Sequence, residues 1–99
     1  MRVIAKGTLT EYWAKHRDAE APLRAWLQEA KAAAWSSPPD VKAAFGSASI
    51  LKTSRVVFNI AGNKHRLVVS IHYRRRVIYI KFIGTHTEYD AIDAETVEP

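Results

Sequence analysis

The sequence predicts an α+β fold: an antiparallel β-sheet with two to three N-terminal helices packed on one face, the other face open and basic. Three observations predict it. Apolar residues recur at three- and four-residue spacing in the first half of the chain, they alternate with period two from Arg55 onward, and basic residues gather in the alternating half. At 99 residues and 47% hydrophobic, the chain supports one domain, 1–99, with a single modest core. Within it the pattern places helices over about 8–46, a β-meander over about 55–83 and a closing motif at 84–93.

Residues 2–5 read as a short strand. Thr8-Leu9-Thr10-Glu11 then has the spacing at which a threonine and a glutamate three residues on satisfy each other's orphan amides, so a helix is expected to start there. Leu9, Tyr12, Trp13 and His16 share one face of it. After a break near Asp18 to Pro22, a second helix carries Leu23, Trp26, Leu27, Ala30 and Ala34 at helical spacing. Ser37-Pro38-Pro39-Asp40 is a start signal with proline at the first helical position, and Gly46 is a stop, giving a third helix of about two turns.

Three β-rich runs follow: 55–60, 65–73 and 77–83. Gly62-Asn63 suits a tight hairpin turn, and Arg74-Arg75 occupies the second turn if it too is two residues long. Those turns pair Phe58 with Leu67, Val56 with Val69, Val69 with Ile80, Leu67 with Phe82 and Ile71 with Ile78, which makes one face wholly apolar. A one-residue slip would send every one of these side chains to the other face, so agreement across three strands supports the register. The opposite face reads Arg55, Asn59, Lys64, Arg66, Ser70, His72, Tyr79 and Lys81, with Val57, Val68, Val77 and Ile83 between them. Helices must cover the apolar side, which leaves the second side as a shallow basic platform.

Charge is segregated along the chain. Between Asp40 and Glu88 there is no acidic residue but nine basic ones: Lys42, Lys52, Arg55, Lys64, Arg66, Arg74, Arg75, Arg76 and Lys81. The last twelve residues hold five acids and no base. Such separation calls for a polyanion, and nucleic acid is the first candidate. Basic residues in turns also serve solubility alone, so the weight lies on the missing acids. The absence of cysteine excludes disulfides and thiolate metal sites and agrees with a reducing cytoplasm. The start, Met1 to Lys6, lacks the apolar run of a signal peptide, and no stretch approaches the ~20 apolar residues that span a bilayer, so a soluble cytoplasmic protein without membrane contact is expected.

The third strand runs out at Gly84 into Thr85-His86-Thr87-Glu88-Tyr89-Asp90, where Thr85 and Glu88 again have capping-box spacing. A helical turn there places His86 and Tyr89 on one side, within reach of Lys64, Arg66 and Lys81. Metal-free RNA cleavage needs a base for the 2′-hydroxyl proton, an acid for the departing 5′-oxygen, and fixed cations for the charge that builds on phosphorus. All three types are present. The plainer readings are a loop histidine at 86, a capping role for Glu88 and a packing role for Tyr89. No metal or cofactor is expected, because the sheet lacks acids and the odd spacing of His65 and His72 puts them on opposite faces. Trp13 and Trp26 read as core, whereas Trp35, beside a loop, stays open as a base-stacking residue.

Arg55-Val-Val-Phe-Asn-Ile60, Gly62-Asn-Lys-His-Arg-Leu67 and Phe82-Ile-Gly-Thr-His-Thr-Glu-Tyr-Asp90 together resemble the signature of HigB-type toxins of the RelE superfamily; the resemblance covers roughly residues 50–93. It implies a small RelE-like fold and a metal-free, ribosome-dependent mRNA interferase. Such an enzyme enters the ribosomal A site and is restrained by a HigA-type helix-turn-helix antitoxin, reaching operator DNA only through that complex. By the same resemblance His86, Arg66, Lys64 and Tyr89 are the catalytic candidates, with Arg66 and Lys64 on the scissile phosphate and His86 or Tyr89 handling protons. Lys52, Arg55, Asn63, Arg74, Arg75, Arg76 and Lys81 are the RNA-binding candidates. The competing reading is a non-catalytic RNA- or ribosome-binding module in which lysines and arginines track phosphates and Tyr79 stacks a base. A DNA-binding protein ranks below both, because no helix carries the clustered basic residues that enter a major groove.

Overall fold

The switch from helical to period-two spacing falls where the backbone changes from helix to sheet, in a computed structural model that describes residues 1–99. The elements are β1 (Arg2–Ile4), α1 (Lys6–Lys15), a 3-10 turn (Arg17–Ala19), α2 (Glu20–Ala32), α3 (Pro38–Ala44), β2 (Ser49–Ile50), β3 (Arg55–Ile60), β4 (His65–His72), β5 (Val77–Thr85) and α4 (His86–Asp90).

Local signals are obeyed unevenly. α3 starts where expected, with Ser37 at the N-cap position and proline in the first turn, although the Ser37 side chain makes no capping bond. The Thr8–Glu11 box does not start α1: the helix begins at Lys6 behind Ala5, whose backbone is left-handed (φ 74), and Thr8 lies inside it. Pairing of β1 with the sheet delivers the chain to Ala5 and decides the start. The break before α2 is also shorter than expected, because Pro22 sits in the first turn, where its missing N–H costs nothing. Ala34 falls beyond the end of α2 and is exposed.

The sheet has five strands in the order β1-β5-β4-β3-β2, and β1 runs parallel to β5. It is therefore mixed at one edge, and the connection from β1 to its parallel neighbour runs through helices α1 to α3 and then back across the sheet through β2, β3 and β4. Four expected pairs are present: Phe58 with Leu67, Val56 with Val69, Val69 with Ile80 and Ile71 with Ile78. The fifth is not. Leu67 pairs with Ile83, and Val68 with Phe82, because the ladder shifts between Val68 and Val69 and leaves Lys81 as an extra residue in β5. Phe82 and Ile83 consequently exchange the faces predicted for them.

The core lies between the helices and one sheet face. It joins Leu9, Leu23, Trp26 and Val41 to Val56, Phe58, Leu67, Val69, Ile71, Ile78 and Ile80. Trp35 is only 6% exposed and lies near Phe45 and Phe58, so it belongs to this core and is not free to stack a base.

The other face is less open than expected. Val57, Val68 and Ala94 form a second buried cluster, packed by Leu51, Phe82, Tyr89, Ile92 and Val97. The C-terminal segment folds back over the middle of the platform, because Val57 and Val68 are adjacent there and would otherwise face water. Its acids complete the fit: Glu98 bonds Arg55 at 2.7 Å and Lys81 at 2.8 Å. No helix is long and apolar enough to cross a membrane.

Candidate active site

The hairpin between β3 and β4 turns through Ala61 (φ 55) and Gly62 (φ 69), which leaves Asn63 and Lys64 exposed at one end of the sheet. Only at Gly62 is the left-handed backbone free of strain. Arg66 follows on the platform face, and its guanidinium donates to the carbonyls of Asn63 (2.8 Å) and His65 (3.3 Å). Its partner across the ladder is Gly84, which has no side chain to crowd it. A Cβ on Gly84 would come within 2.5 Å of Phe82 Cζ, so the ring occupies the space a side chain would take.

Thr85 ends β5 and caps α4 with the expected reciprocal pair. Its hydroxyl accepts from the Glu88 amide at 3.1 Å, while its own amide donates to Glu88 Oε1 at 2.8 Å. That backbone N–H, more than any other contact, holds the Glu88 carboxyl below its usual range. The His86 amide donates to the Lys64 carbonyl at 3.0 Å, which pins the first residue of α4 against the hairpin. Two distant stretches of chain thereby meet.

Asn63, Lys64, Arg66 and His86 line one shallow cleft of about 340 Å³, and the Tyr89 ring lies 6.0 Å from the Arg66 guanidinium carbon. The arrangement offers two cations for a phosphate, an imidazole, and a phenol beside one of the cations. No group of three or more histidine, aspartate or glutamate side chains is placed to hold a metal ion.

The remaining RNA-binding candidates scatter. Arg74, Arg75 and Arg76 are exposed on the turn at the far end of β4 and β5, about 24 Å away along the eight residues of β4. Lys52 is exposed near the start of β3, toward that same end. Arg55 has to be corrected. It is 7% exposed, and its guanidinium is taken up by the Ala94 and Val97 carbonyls and by Glu98, so it anchors the tail and does not present itself to RNA. Lys81 is half-buried and engaged by Glu98, and that hydrogen bond is the main reason the Glu98 carboxyl lies below its usual range.

Replacing Glu98 with alanine is expected to free Lys81 while Arg55 stays held by backbone carbonyls. One extra phosphate contact steepens the salt dependence of single-stranded RNA binding by about 0.7 in log–log slope. Binding isotherms at several salt concentrations measure it; an unchanged slope would mean that Lys81 lies off the RNA path.

Sequence reasoning missed a polar group on the helix side. His65, only 3% exposed, accepts a place between the hydroxyl of Tyr12 and the carboxylate of Asp18. The available signal was a histidine at an inward-facing position of β4.

Residues 19–92 match the family described as HigB_toxin, RelE-like toxic component of a toxin-antitoxin system. The chain is 34% identical over 62 residues to the mRNA interferase toxin HigB of Escherichia coli strain K12, covering 61% of this chain and 60% of that protein. The mRNA interferase HigB of Shigella flexneri matches to the same extent. That of Escherichia coli O6:H1 is 24% identical over 94 residues, 93% of this chain and 91% of the relative. The chain thus spans about 60% of the length of the first two relatives.

Proposed function

Because the chain belongs to the HigB family of RelE-like toxins, we propose that it is a ribosome-dependent mRNA endoribonuclease that acts on the message in the A site and so arrests translation. The 2′-oxygen bonds to phosphorus as a base removes its proton. The bond to the 5′-oxygen breaks as an acid protonates it, leaving a cyclic phosphate and a 5′-hydroxyl. His86 and Tyr89 are the groups for the two proton transfers, and Lys64 and Arg66 take the charge that develops on the phosphorane oxygens. No metal or cofactor enters this scheme. A HigA-type antitoxin is the restraining partner, and operator DNA is reached through it. Action on the ribosome places the protein in the cytoplasm.

The observation that carries the reading is the convergence of Lys64, Arg66 and His86 on one cleft, with Tyr89 against Arg66. Two of these groups come from the β3–β4 hairpin region and two from the end of β5 and α4, and a plain RNA-binding face has no need of that assembly.

The test is product-end mapping. A translating extract given the protein is expected to accumulate new message 5′ ends bearing hydroxyls, and the same extract with translation blocked is expected to show none. Binding without new ends would favour the non-catalytic module, for which the exposed ring of Tyr79, with Lys81 Nζ 5.7 Å from its centre, is the supporting feature.

A further inference from the structure

We propose that Asp18, His65 and Tyr12 form a positioning relay that holds the two walls of the cleft in register from the opposite side of the sheet. The inference rests on the cleft being the reactive site. His65 stands in the chain between Lys64 and Arg66, and it pairs across the ladder with Thr85, the residue before His86. Its backbone therefore joins both walls at one point. Its side chain points the other way, where the Tyr12 hydroxyl lies 2.6 Å from Nδ1 and Asp18 Oδ2 lies 3.0 Å from Nε2.

An aliphatic side chain would fill this inward position without the cost of desolvating an imidazole, which is tolerated only when its polar atoms are paired. Here both nitrogens are paired, each to a different element: Tyr12 comes from α1, Asp18 from the 3-10 turn. Burial, more than the neighbouring carboxylates of Glu88 and Asp18, pushes the Tyr12 phenol up to about 12. The Asp18 carboxylate can only accept, which assigns a hydrogen to Nε2; in the neutral ring Nδ1 is then the acceptor for the Tyr12 hydroxyl, an assignment made from the pairing. The bond from His65 is the chief reason the Asp18 carboxyl stays below its usual range. His16 stacks on Tyr12 with ring centres 4.1 Å apart and closes the other side of the phenol.

None of the three side chains lines the cleft, so they act on the reaction only through placement. A shift of ~1 Å in the Lys64–Arg66 backbone is enough to cost about 100-fold in rate. Tyr12→Phe removes one bond of the relay and keeps the ring; Asp18→Asn keeps an acceptor for the Nε2 hydrogen, and Asp18→Ala does not.

The experiment reads two quantities in the full-length protein. Amide hydrogen exchange by NMR is expected to speed up by about ten-fold at His86, whose N–H bonds the Lys64 carbonyl, in Tyr12→Phe and Asp18→Ala, with Ile71 and Ile78 unchanged and Asp18→Asn near the parent. Message cleavage is expected to lose about ten-fold or more in kcat in the same two variants with KM within two-fold, and to recover in Asp18→Asn. Parent-like exchange at His86 in Tyr12→Phe and Asp18→Ala overturns the relay whatever the cleavage result. Faster exchange with an unchanged kcat overturns its positioning role. Undiminished cleavage by His86→Ala would instead remove the cleft as the reactive site, and that outcome is separate because the exchange reading does not depend on activity.

Discussion

Alanine in place of Arg66 is expected to reduce message cleavage by about 100- to 1000-fold, the loss seen when one fixed donor is withdrawn from a developing oxyanion. The guanidinium is held in the ground state by the Asn63 and His65 carbonyls and lies against Tyr89, so it is oriented before substrate arrives. Such a group contributes most as charge builds on the phosphate, and its removal falls on kcat more than on binding. Ribosome affinity is expected to change only a few-fold, because Lys64 and the distant Arg74 to Arg76 turn keep their charges. Arg66→Lys restores the charge without the planar fork and is expected to recover only part of the rate. His86→Ala is expected to lose about 100- to 10,000-fold as a lost proton-transfer group. Growth arrest and single-turnover cleavage measure both, and a toxic, fully active Arg66→Ala would remove the cleft from the mechanism.

The largest stability loss is expected at Phe58. Its ring is 1% exposed and sits 5.4 Å from Trp26 and 5.1 Å from Phe45, edge to face in each case, with Trp35 stacked at 6.5 Å. It joins β3 to α2, to the end of α3 and to the segment between them. Truncation to alanine costs about 3–5 kcal/mol, for the lost transfer energy and the cavity that three rigid rings cannot collapse to fill. For a domain of this size each kcal/mol moves Tm by about 4–8 °C, so a fall of at least ~12 °C is expected in a thermal melt. A loss below ~1 kcal/mol would mean that the aromatic cluster repacks and does not organise the core.

Two identical signals met different fates, and the reason is physical. Thr85 and Glu88 form their capping box because β5 ends there and nothing else competes for the helix start. Thr8 and Glu11 have the same spacing, but pairing of β1 with β5 moves the N-cap of α1 from Thr8 to Ala5, three residues earlier. The register of the meander followed from its alternation and its turns in four of five pairs. It failed at Leu67 and Phe82, since a single extra residue at Lys81 leaves no periodic trace that a short strand can reveal. The four residues of the candidate site could be named because each stands in a short motif beside a turn or a cap. The meeting of Lys64, Arg66 and His86 on one cleft, with Tyr89 beside Arg66, comes from the pairing of β4 with β5.

Read alone, the chain determined what depends on neighbours in sequence: where the main helices and the three meander strands lie, which residues of β3 and β4 face the core, and which segment carries the positive charge. Periodicity and turn chemistry act over a few residues, so they survive in the order of amino acids. Tertiary structure decided what depends on distant residues meeting: the parallel edge strand, the choice of Arg55 and Lys81 as partners of the acidic tail, and the Tyr12–His65–Asp18 group behind the cleft. Each arises where buried surface or an unpaired polar atom selects a partner by position in space, and no local pattern records that selection.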